Sequence, residues 1–255
     1  RLPLEPLLLL LAGAALAELR RPRARRAATA LAAAGLALAG CGGERRALPR
    51  SSGPPDLLVV VWDTARADHL SLYGYPRDTT PRLAAWARGA RVFDDAVSTA
   101  GYTLPSHASM FTGLLPSEHC VHNENPHLDD RFTTLAEILR DAGYQTYLYS
   151  ENPHVAEGPT NLAQGFEAVE HPWSPARAEA ARRIVLSKLP PEDRSSELRD
   201  RLAAAERGEA PLSAWNIKAA GELAGQAVRE WLARSDPKRR WFVFVNYMEA
   251  QRPTI

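Results

Sequence analysis

Apolar runs along the chain alternate with segments whose apolar residues recur at helical spacing. Residues 57–62, LLVVVW, are continuously apolar and rich in β-branched side chains, which is typical of a strand buried in a parallel sheet. A further buried strand is predicted at residues 241–248, WFVFVNYM, and shorter strands are predicted at residues 91–97 and 144–150.

Helices are predicted between the strands from their capping residues. Thr79-Thr80-Pro81 and Thr133-Thr134 are typical of helix starts, and Gly89, Gly113 and Gly143 are typical of helix ends. The predicted helices lie at residues 81–88, 104–112, 135–142, 175–209 and 213–234. Strands that alternate with helices predict a layered α/β/α fold with a largely parallel central sheet.

The first forty residues have the three regions of a secretory signal. Residues 20–26 are basic, residues 27–40 carry no charge, and Cys41 follows directly. Leu38-Ala39-Gly40-Cys41 resembles the bacterial lipobox, which predicts export, lipidation at Cys41 and a lipid anchor in the bacterial cell envelope. The alternative is an Ala-rich helix with a chance cysteine. An earlier apolar run, Pro6–Ala17, is too short to span a membrane comfortably.

The predicted organisation is a signal and lipobox segment at 1–41, a tether at 42–55 and a folded domain at 56–255. The length of 255 residues is enough for one large domain. A formal net charge of +1 argues against a nucleic-acid partner. The two cysteines exclude a disulfide scaffold and a Cys-rich zinc site.

Polar residues that could bind a metal or take part in catalysis lie at the predicted strand ends, where functional groups gather in open α/β sheets. Asp63 directly follows 57–62 and is well placed to hold a divalent cation, although a helix cap or a salt bridge would also explain it. Thr103 opens a predicted helix, where the dipole favours a negative oxygen, and simple N-capping is the alternative. Asn246, near the end of 241–248, and Glu249, directly after it, form a polar edge, which is equally typical of an ordinary strand end.

Several motifs occur together in a fixed order along the chain. They are Asp63-Thr64-x-Arg66-Ala67-Asp68-His69, Tyr73-Gly74-Tyr75, Thr103-x-Pro105-Ser106-His107-Ala108-Ser109, Pro116-Ser117-Glu118-His119 and Asn246-Tyr247-Met248-Glu249. This order resembles the sulfatase family of the alkaline phosphatase superfamily, closely over 57–151 and more loosely over 240–253. The resemblance implies an alkaline-phosphatase-like α/β/α sandwich.

The resemblance also implies a catalytic signature, Cys or Ser-x-Pro-Ser-Arg, whose first residue is the nucleophile. Thr103 occupies the nucleophile position and His107 the arginine position, so both are predicted to be catalytic. In true sulfatases the first residue is oxidised to formylglycine, which is not expected of threonine. A threonine alkoxide activated by a metal can instead attack phosphorus.

A divalent metal, namely calcium, zinc or manganese, is implied as the cofactor. Asp63 matches the family's first metal-binding aspartate, and Thr103 is its predicted partner ligand. Thr64 stands where many members have a second aspartate, which predicts a site for one cation rather than two. Arg66 is a candidate substrate-binding residue or half of a salt bridge. Gln251 stands near the position of a substrate-contacting histidine and receives no role.

The resemblance places the family's remaining ligands, an Asp followed by a His, on a later strand in the C-terminal half, and no Asp-His-Gly pattern occurs in the chain. We therefore expect an N-terminal part of a longer protein, which alone is not a competent enzyme. The predicted function is metal-dependent hydrolysis of sulfate esters, or phosphoester hydrolysis or transfer, with the membrane reached through a lipid anchor. The alternative is a non-catalytic, envelope-anchored binding protein that retains the fold.

Overall fold

The computed structural model describes residues 7–12, 53–156, 158–188 and 220–248, together with single positions at 200, 204, 207 and 250. Its centre is a sheet with the strand order β1-β2-β5-β3-β4. The strands are β1 (Leu7–Ala12), β2 (Leu57–Trp62), β3 (Gln145–Ser150), β4 (Ala168–Glu170) and β5 (Trp241–Tyr247). The last four in this spatial order are mutually parallel, and β1 is antiparallel to β2.

The sheet confirms three of the predicted strands, β2, β3 and β5, within one residue of their predicted ends. The three-residue strand β4 was not predicted. β1 lies inside the segment 1–41, which the sequence predicts to be a targeting signal, and its backbone pairs with that of β2. Cys41 itself lies outside the described residues.

Helices cover both faces of the sheet, which confirms the layered α/β/α class. They are α1 (Pro81–Ala87), α2 (Thr103–Thr112), α3 (Pro116–His119), α4 (Leu135–Asp141), α5 (Pro153–Ala156), α6 (Ala178–Lys188) and α7 (Glu222–Arg234). Short 3₁₀ turns lie at Ala67–His69, Ser71–Tyr73 and Gly158–Thr160. In the part of the chain that the structure describes, no helix is both long and apolar enough to cross a membrane.

The alternation of side chains along β5 divides the core into two halves. Phe242 and Phe244 face α2 and pack with Phe111, whose ring lies 4.9 Å from that of Phe244 in an edge-to-face contact. Val243 and Val245 face α6 and α7. Burial of one such phenylalanine contributes about 1.5–3 kcal/mol. The same alternation places the next even-numbered residue of β5, Asn246, on the α2 face.

The predicted strand at 91–97 is wrong, because this segment is an irregular loop. Asp94 and Asp95 form a turn in its middle, and no described strand lies alongside to accept its backbone hydrogen bonds. Phe93 and Val97 are 63% and 83% exposed. With Met110 and other residues of the outer face of α2, the loop lines a groove of about 330 Å³.

Helix ends at Thr80, Gly113 and Thr134 lie where the sequence predicts them, whereas α6 and α7 begin at Ala178 and Glu222, later than the predicted 175 and 213. Thr134 caps α4 through a capping box, in which its hydroxyl accepts from the Glu137 N–H at 3.2 Å. Gly113 ends α2 with a φ of +74°, a conformation that glycine adopts readily. Thr80 is the N-cap residue of α1 and Pro81 opens the helix, as predicted, but the Thr80 hydroxyl bonds to Ser71 Oγ at 2.9 Å and makes no capping hydrogen bond.

We expect Gly165→Ala to destabilise the fold by about 2–4 kcal/mol. Gly165 has a φ of +89°, and a Cβ there would lie 2.5 Å from the backbone nitrogen of Glu137. Gly143→Ala is the matched control, since its φ is +90° but the space around it is open, and it should cost only about 1 kcal/mol. Urea unfolding of both variants tests this, and equal losses of stability would contradict it.

Candidate active site

The carboxyl ends of β2, β5 and β3 are joined by backbone hydrogen bonds at one edge of the sheet. The Asp63 N–H donates to the Tyr247 carbonyl at 2.9 Å, and the Glu151 N–H donates to the Asn246 carbonyl at 3.1 Å. Two residues that the sequence predicts to be functional, Asp63 and Asn246, are therefore held on adjacent strands. The start of α2 lies against the same edge, as the following contacts show.

One amide joins the predicted metal ligand to the predicted nucleophile. Asn152, two residues after β3, donates from Nδ2 to Asp63 Oδ2 at 2.8 Å and to Thr103 Oγ1 at 3.1 Å. Asp63 and Asn152 are each only 1% exposed. The structure thus brings Asp63 and Thr103 together, 40 residues apart in sequence, through a residue that the sequence analysis did not identify.

His107 lies beneath this cluster and supports it. Its Nδ1 bonds to the Thr103 carbonyl at 2.9 Å, and since a carbonyl can only accept, Nδ1 carries the proton. In the neutral ring, Nε2 then accepts from Asn246 Nδ2 at 3.0 Å. The rings of Phe111 and Phe244 present edge contacts at 6.2 Å.

Burial lowers the pKa of His107, while the charge of Asp63 and the bond to Thr103 act in the opposite direction. His107 is 0% exposed. A neutral imidazole with both nitrogens engaged is suited to hold Thr103 and Asn246 in place. The catalytic role that the resemblance implies for His107 stays a prediction. These contacts indicate that His107 would act by positioning Thr103 and Asn246.

Asp63 is a buried carboxyl group that has no ion-pair partner among the described residues. None of the ion pairs among the described residues involves it. A buried carboxylate is costly unless it is paired or binds a metal. Asn246 Oδ1 is also buried and has no hydrogen-bond partner. These oxygens fit a divalent cation of the kind that the resemblance implies.

The described residues supply only part of a metal site. Within the described ranges, no group of three or more His, Cys, Asp or Glu side chains could hold a metal ion. Asp63 and Thr103 offer two oxygens, which is fewer than the three or so protein ligands of typical catalytic zinc sites. The metal itself therefore stays a proposal.

The residue after Asp63 is held in an unfavourable backbone conformation. Thr64 has a φ of +59°, which is rare for a β-branched residue. Its Oγ1 is buried and has no hydrogen-bond partner. Such strain costs about 1–3 kcal/mol and is concentrated at functional sites.

The structure places Arg66 in an exposed ion pair. Its Nη2 lies 2.6 Å from Asp68 Oδ2, and His69 Nδ1 lies 3.1 Å from the other oxygen of that carboxylate. The hydrogen bonds from Arg66 and then from His69 hold the pKa of Asp68 below its ordinary value. Of the two alternatives for Arg66, the structure therefore shows the salt bridge. A role for Arg66 in substrate binding stays a prediction.

Thr103 does not act as an N-cap. The N-cap of α2 is Tyr102, and no side chain makes a capping hydrogen bond there. Thr103 is instead the first residue of the helix, and its hydroxyl accepts from Asn152. The capping alternative for Thr103 is therefore wrong.

A signal for the missed residue was present in the sequence. Ser150 is the last residue of the predicted strand 144–150, and the polar residues Glu151 and Asn152 follow it directly, the same pattern that identified Asp63. Applied to every strand end, the rule that functional groups gather there would have selected Asn152. Glu249 and Gln251, by contrast, lie outside the described residues.

Comparison with known proteins gives one family. A model of the sulfatase family matches residues 55–184, just over half of the chain. The chain is 29% identical over 127 residues to dog N-acetylgalactosamine-6-sulfatase, and 30% identical over 97 residues to the phosphoethanolamine transferase EptC of Escherichia coli strain K12. These alignments cover 45% and 37% of this chain.

A solved structure is also similar, the phosphonate monoester hydrolase of Agrobacterium radiobacter. The TM-score is 0.49 at 25% identity, over 74% of this chain and 40% of that chain. The chain spans only 22% and 16% of the lengths of the two curated relatives.

Proposed function

The chain belongs to the sulfatase family, and we propose that it acts on phosphate esters, with Thr103 as the nucleophile. At family level the relatives include both sulfatases and phosphoethanolamine transferases. They favour an ester hydrolase or transferase, and none of them favours the non-catalytic binding protein.

The observation that carries the proposal is the contact of one amide with both Asp63 and Thr103. A hydroxyl at a helix start beside a buried carboxylate is suited to become a nucleophile once a cation compensates the negative charge. Asp63 Oδ2 and Thr103 Oγ1 lie 2.8 and 3.1 Å from the same nitrogen. Both oxygens are therefore within reach of a single reacting group.

The first half-reaction transfers the phosphoryl group to the protein. A lone pair of Thr103 Oγ1 bonds to phosphorus, the bond from phosphorus to the ester oxygen breaks, and the hydroxyl proton passes to water. The departing oxygen takes a proton from water and leaves as an alcohol. In the second half-reaction, the oxygen of water or of an acceptor hydroxyl bonds to phosphorus and loses its proton to water. The bond from phosphorus to Thr103 Oγ1 breaks, and Thr103 Oγ1 takes a proton from water.

Each residue of the cluster has a part in this sequence. His107 holds the Thr103 backbone through its carbonyl and so fixes the first turn of α2. Asp63 and Thr103 would hold a divalent cation. When bound, it would lower the pKa of the coordinated hydroxyl and neutralise charge on the transferring group.

Phosphate is favoured over sulfate by the chemistry of threonine. Formylglycine is an aldehyde, and oxidation of threonine, which has a methyl group on Cβ, would give a ketone instead. Without the hydrate of an aldehyde, Thr103 has only its own hydroxyl to offer.

A direct assay distinguishes the two esters. We expect the full-length protein, which is the natural protein of all the assays below, to release nitrophenol from nitrophenyl phosphate in the presence of calcium, manganese or zinc, and to release little from nitrophenyl sulfate. Faster turnover of the sulfate ester would contradict the proposal.

We also propose that the protein is exported and anchored at the bacterial cell envelope by lipidation of Cys41. The support is the order of basic, apolar and small residues before Cys41. Labelled fatty acid should be incorporated in a bacterial host, and Cys41→Ala should abolish incorporation. Cys120→Ala serves as the control, since Cys120 lies far along the chain after α3. Equal labelling of the Cys41 variant would reject the anchor.

A further inference from the structure

The orientation of the Asn152 amide is fixed by its neighbours. The backbone N–H of His154, which can only donate, bonds to Asn152 Oδ1 at 3.0 Å. The oxygen of the amide is thereby identified, and the NH₂ group must point toward Asp63 and Thr103. An ambiguity that usually attends asparagine side chains is thus removed by the hydrogen-bond network.

The backbone of Asn152 is held as firmly as its side chain. Its N–H donates to Ser150 Oγ at 3.0 Å, and the Ser150 hydroxyl donates to the Asn152 carbonyl at 3.2 Å. Both residues are buried, with exposures of 0% and 1%. The backbone from which the amide projects is therefore fixed by this local turn, and rotation of the amide itself would break its bonds to His154, Asp63 and Thr103.

The two N–H groups of the amide match two acceptors. One hydrogen goes to Asp63 Oδ2 and the other to Thr103 Oγ1. A single buried group thus sets the spacing of these two oxygens.

We propose that Asn152 is a further catalytic residue, which aligns the Thr103 oxygen with the cation-binding oxygen of Asp63 and donates a hydrogen bond to the nucleophile. This inference rests on the proposed function. A hydrogen bond to an oxygen that gains negative charge is stronger than one to a neutral hydroxyl. The contact is therefore worth more when Thr103 attacks than when it rests, which raises kcat rather than substrate affinity.

Two substitutions test the proposal, because both remove the donors but differ in charge. Asn152→Ala and Asn152→Asp should each lower kcat on nitrophenyl phosphate by about 10–100-fold, with little change in KM. Their effects on Mn²⁺ affinity, measured by calorimetry without substrate, should have opposite signs. Asn152→Ala releases Asp63 and should weaken binding, whereas Asn152→Asp adds a second carboxylate beside it and should tighten binding.

Asn125→Asp is the matched control, since the Asn125 amide donates to the Cys120 carbonyl at 2.8 Å in an exposed loop. It should change neither kcat nor Mn²⁺ affinity, and thermal unfolding verifies that all three variants are folded. If the natural protein turns over the ester but the Asn152 variants match it, or if both variants shift Mn²⁺ affinity in one direction, the role of Asn152 is rejected. A natural protein that neither binds Mn²⁺ nor hydrolyses the ester would overturn the proposed function, and this inference with it.

Discussion

Thr103→Ala should reduce turnover of the ester substrate by about 10⁴-fold or more, which is the scale of loss when an enzyme nucleophile is removed. The fold should survive, because Thr103 caps no helix and its hydroxyl makes a single hydrogen bond, to Asn152. That bond is worth about 1 kcal/mol. Steady-state kinetics and thermal unfolding of the same preparation separate the two effects.

Thr103→Ser is the matched control for this loss. Serine keeps the hydroxyl and removes only the methyl group, so it should retain turnover within about tenfold of the natural protein. Robust activity in the alanine variant, or equal inactivity of both variants with the fold intact, would contradict the assignment of Thr103 as nucleophile.

Asp63→Asn should have the second-largest effect, with opposite signs for function and stability. Loss of the carboxylate should weaken cation binding by about 100-fold or more, since even outer residues of metal sites change affinity by about 10–100-fold. In cation-free protein the same substitution should leave stability unchanged or raise it, because it removes a buried charge that has no ion-pair partner. The Asn152 bond survives, since the new side-chain oxygen can still accept it.

Asp56→Asn provides the contrast at the opposite edge of the sheet. Asp56 accepts from the Trp241 N–H at 3.1 Å and lies 3.8 Å from Arg240. Its substitution should lower stability slightly and leave cation affinity unchanged. Calorimetric titration with Mn²⁺ and urea unfolding check both variants, and a destabilised Asp63→Asn protein that binds Mn²⁺ normally would refute this account of Asp63.

The elements that the sequence predicts well are those whose pattern is local. β2 is a continuous apolar run, β5 is nearly so, β3 is rich in aromatic and β-branched residues, and α2 ends at a glycine with a φ of +74°. The segment 91–97 contains Val92, Phe93 and Val97 but has no strand beside it among the described residues. A strand is defined by its partner, so composition alone misassigned this loop.

In the site too, the residues with a local sequence pattern could be predicted, and those that depend on tertiary contacts could not. Asp63 directly follows a strand and Thr103 begins a helix, and both are positions where the sequence leads one to expect functional residues. The role of Asn152 depends on the parallel register that sets β3 beside β5, with Ser150 opposite Asn246. The bond between His107 and Asn246, 139 residues apart in sequence, likewise exists only once α2 has packed on the sheet.

The histidine at the family's arginine position has an electrostatic consequence. An arginine would bring a permanent positive charge to the cluster, whereas burial lowers the pKa of His107 and favours its neutral form. Asp63 therefore lacks a nearby counter-charge in the described part of the chain. This makes compensation by a bound cation more important here than in a site that keeps the arginine.

The central claim is that Thr103 Oγ1 forms a covalent bond to the transferred group, and mass spectrometry of the quenched reaction tests it most directly. The natural protein is mixed with nitrophenyl phosphate, stopped in acid within the first turnover and digested to peptides. The account predicts a phosphoryl group on Thr103, no oxidised form of that residue, and no adduct in Thr103→Ala. Turnover with Thr103 unlabelled, or with the phosphoryl group on another residue, would contradict it.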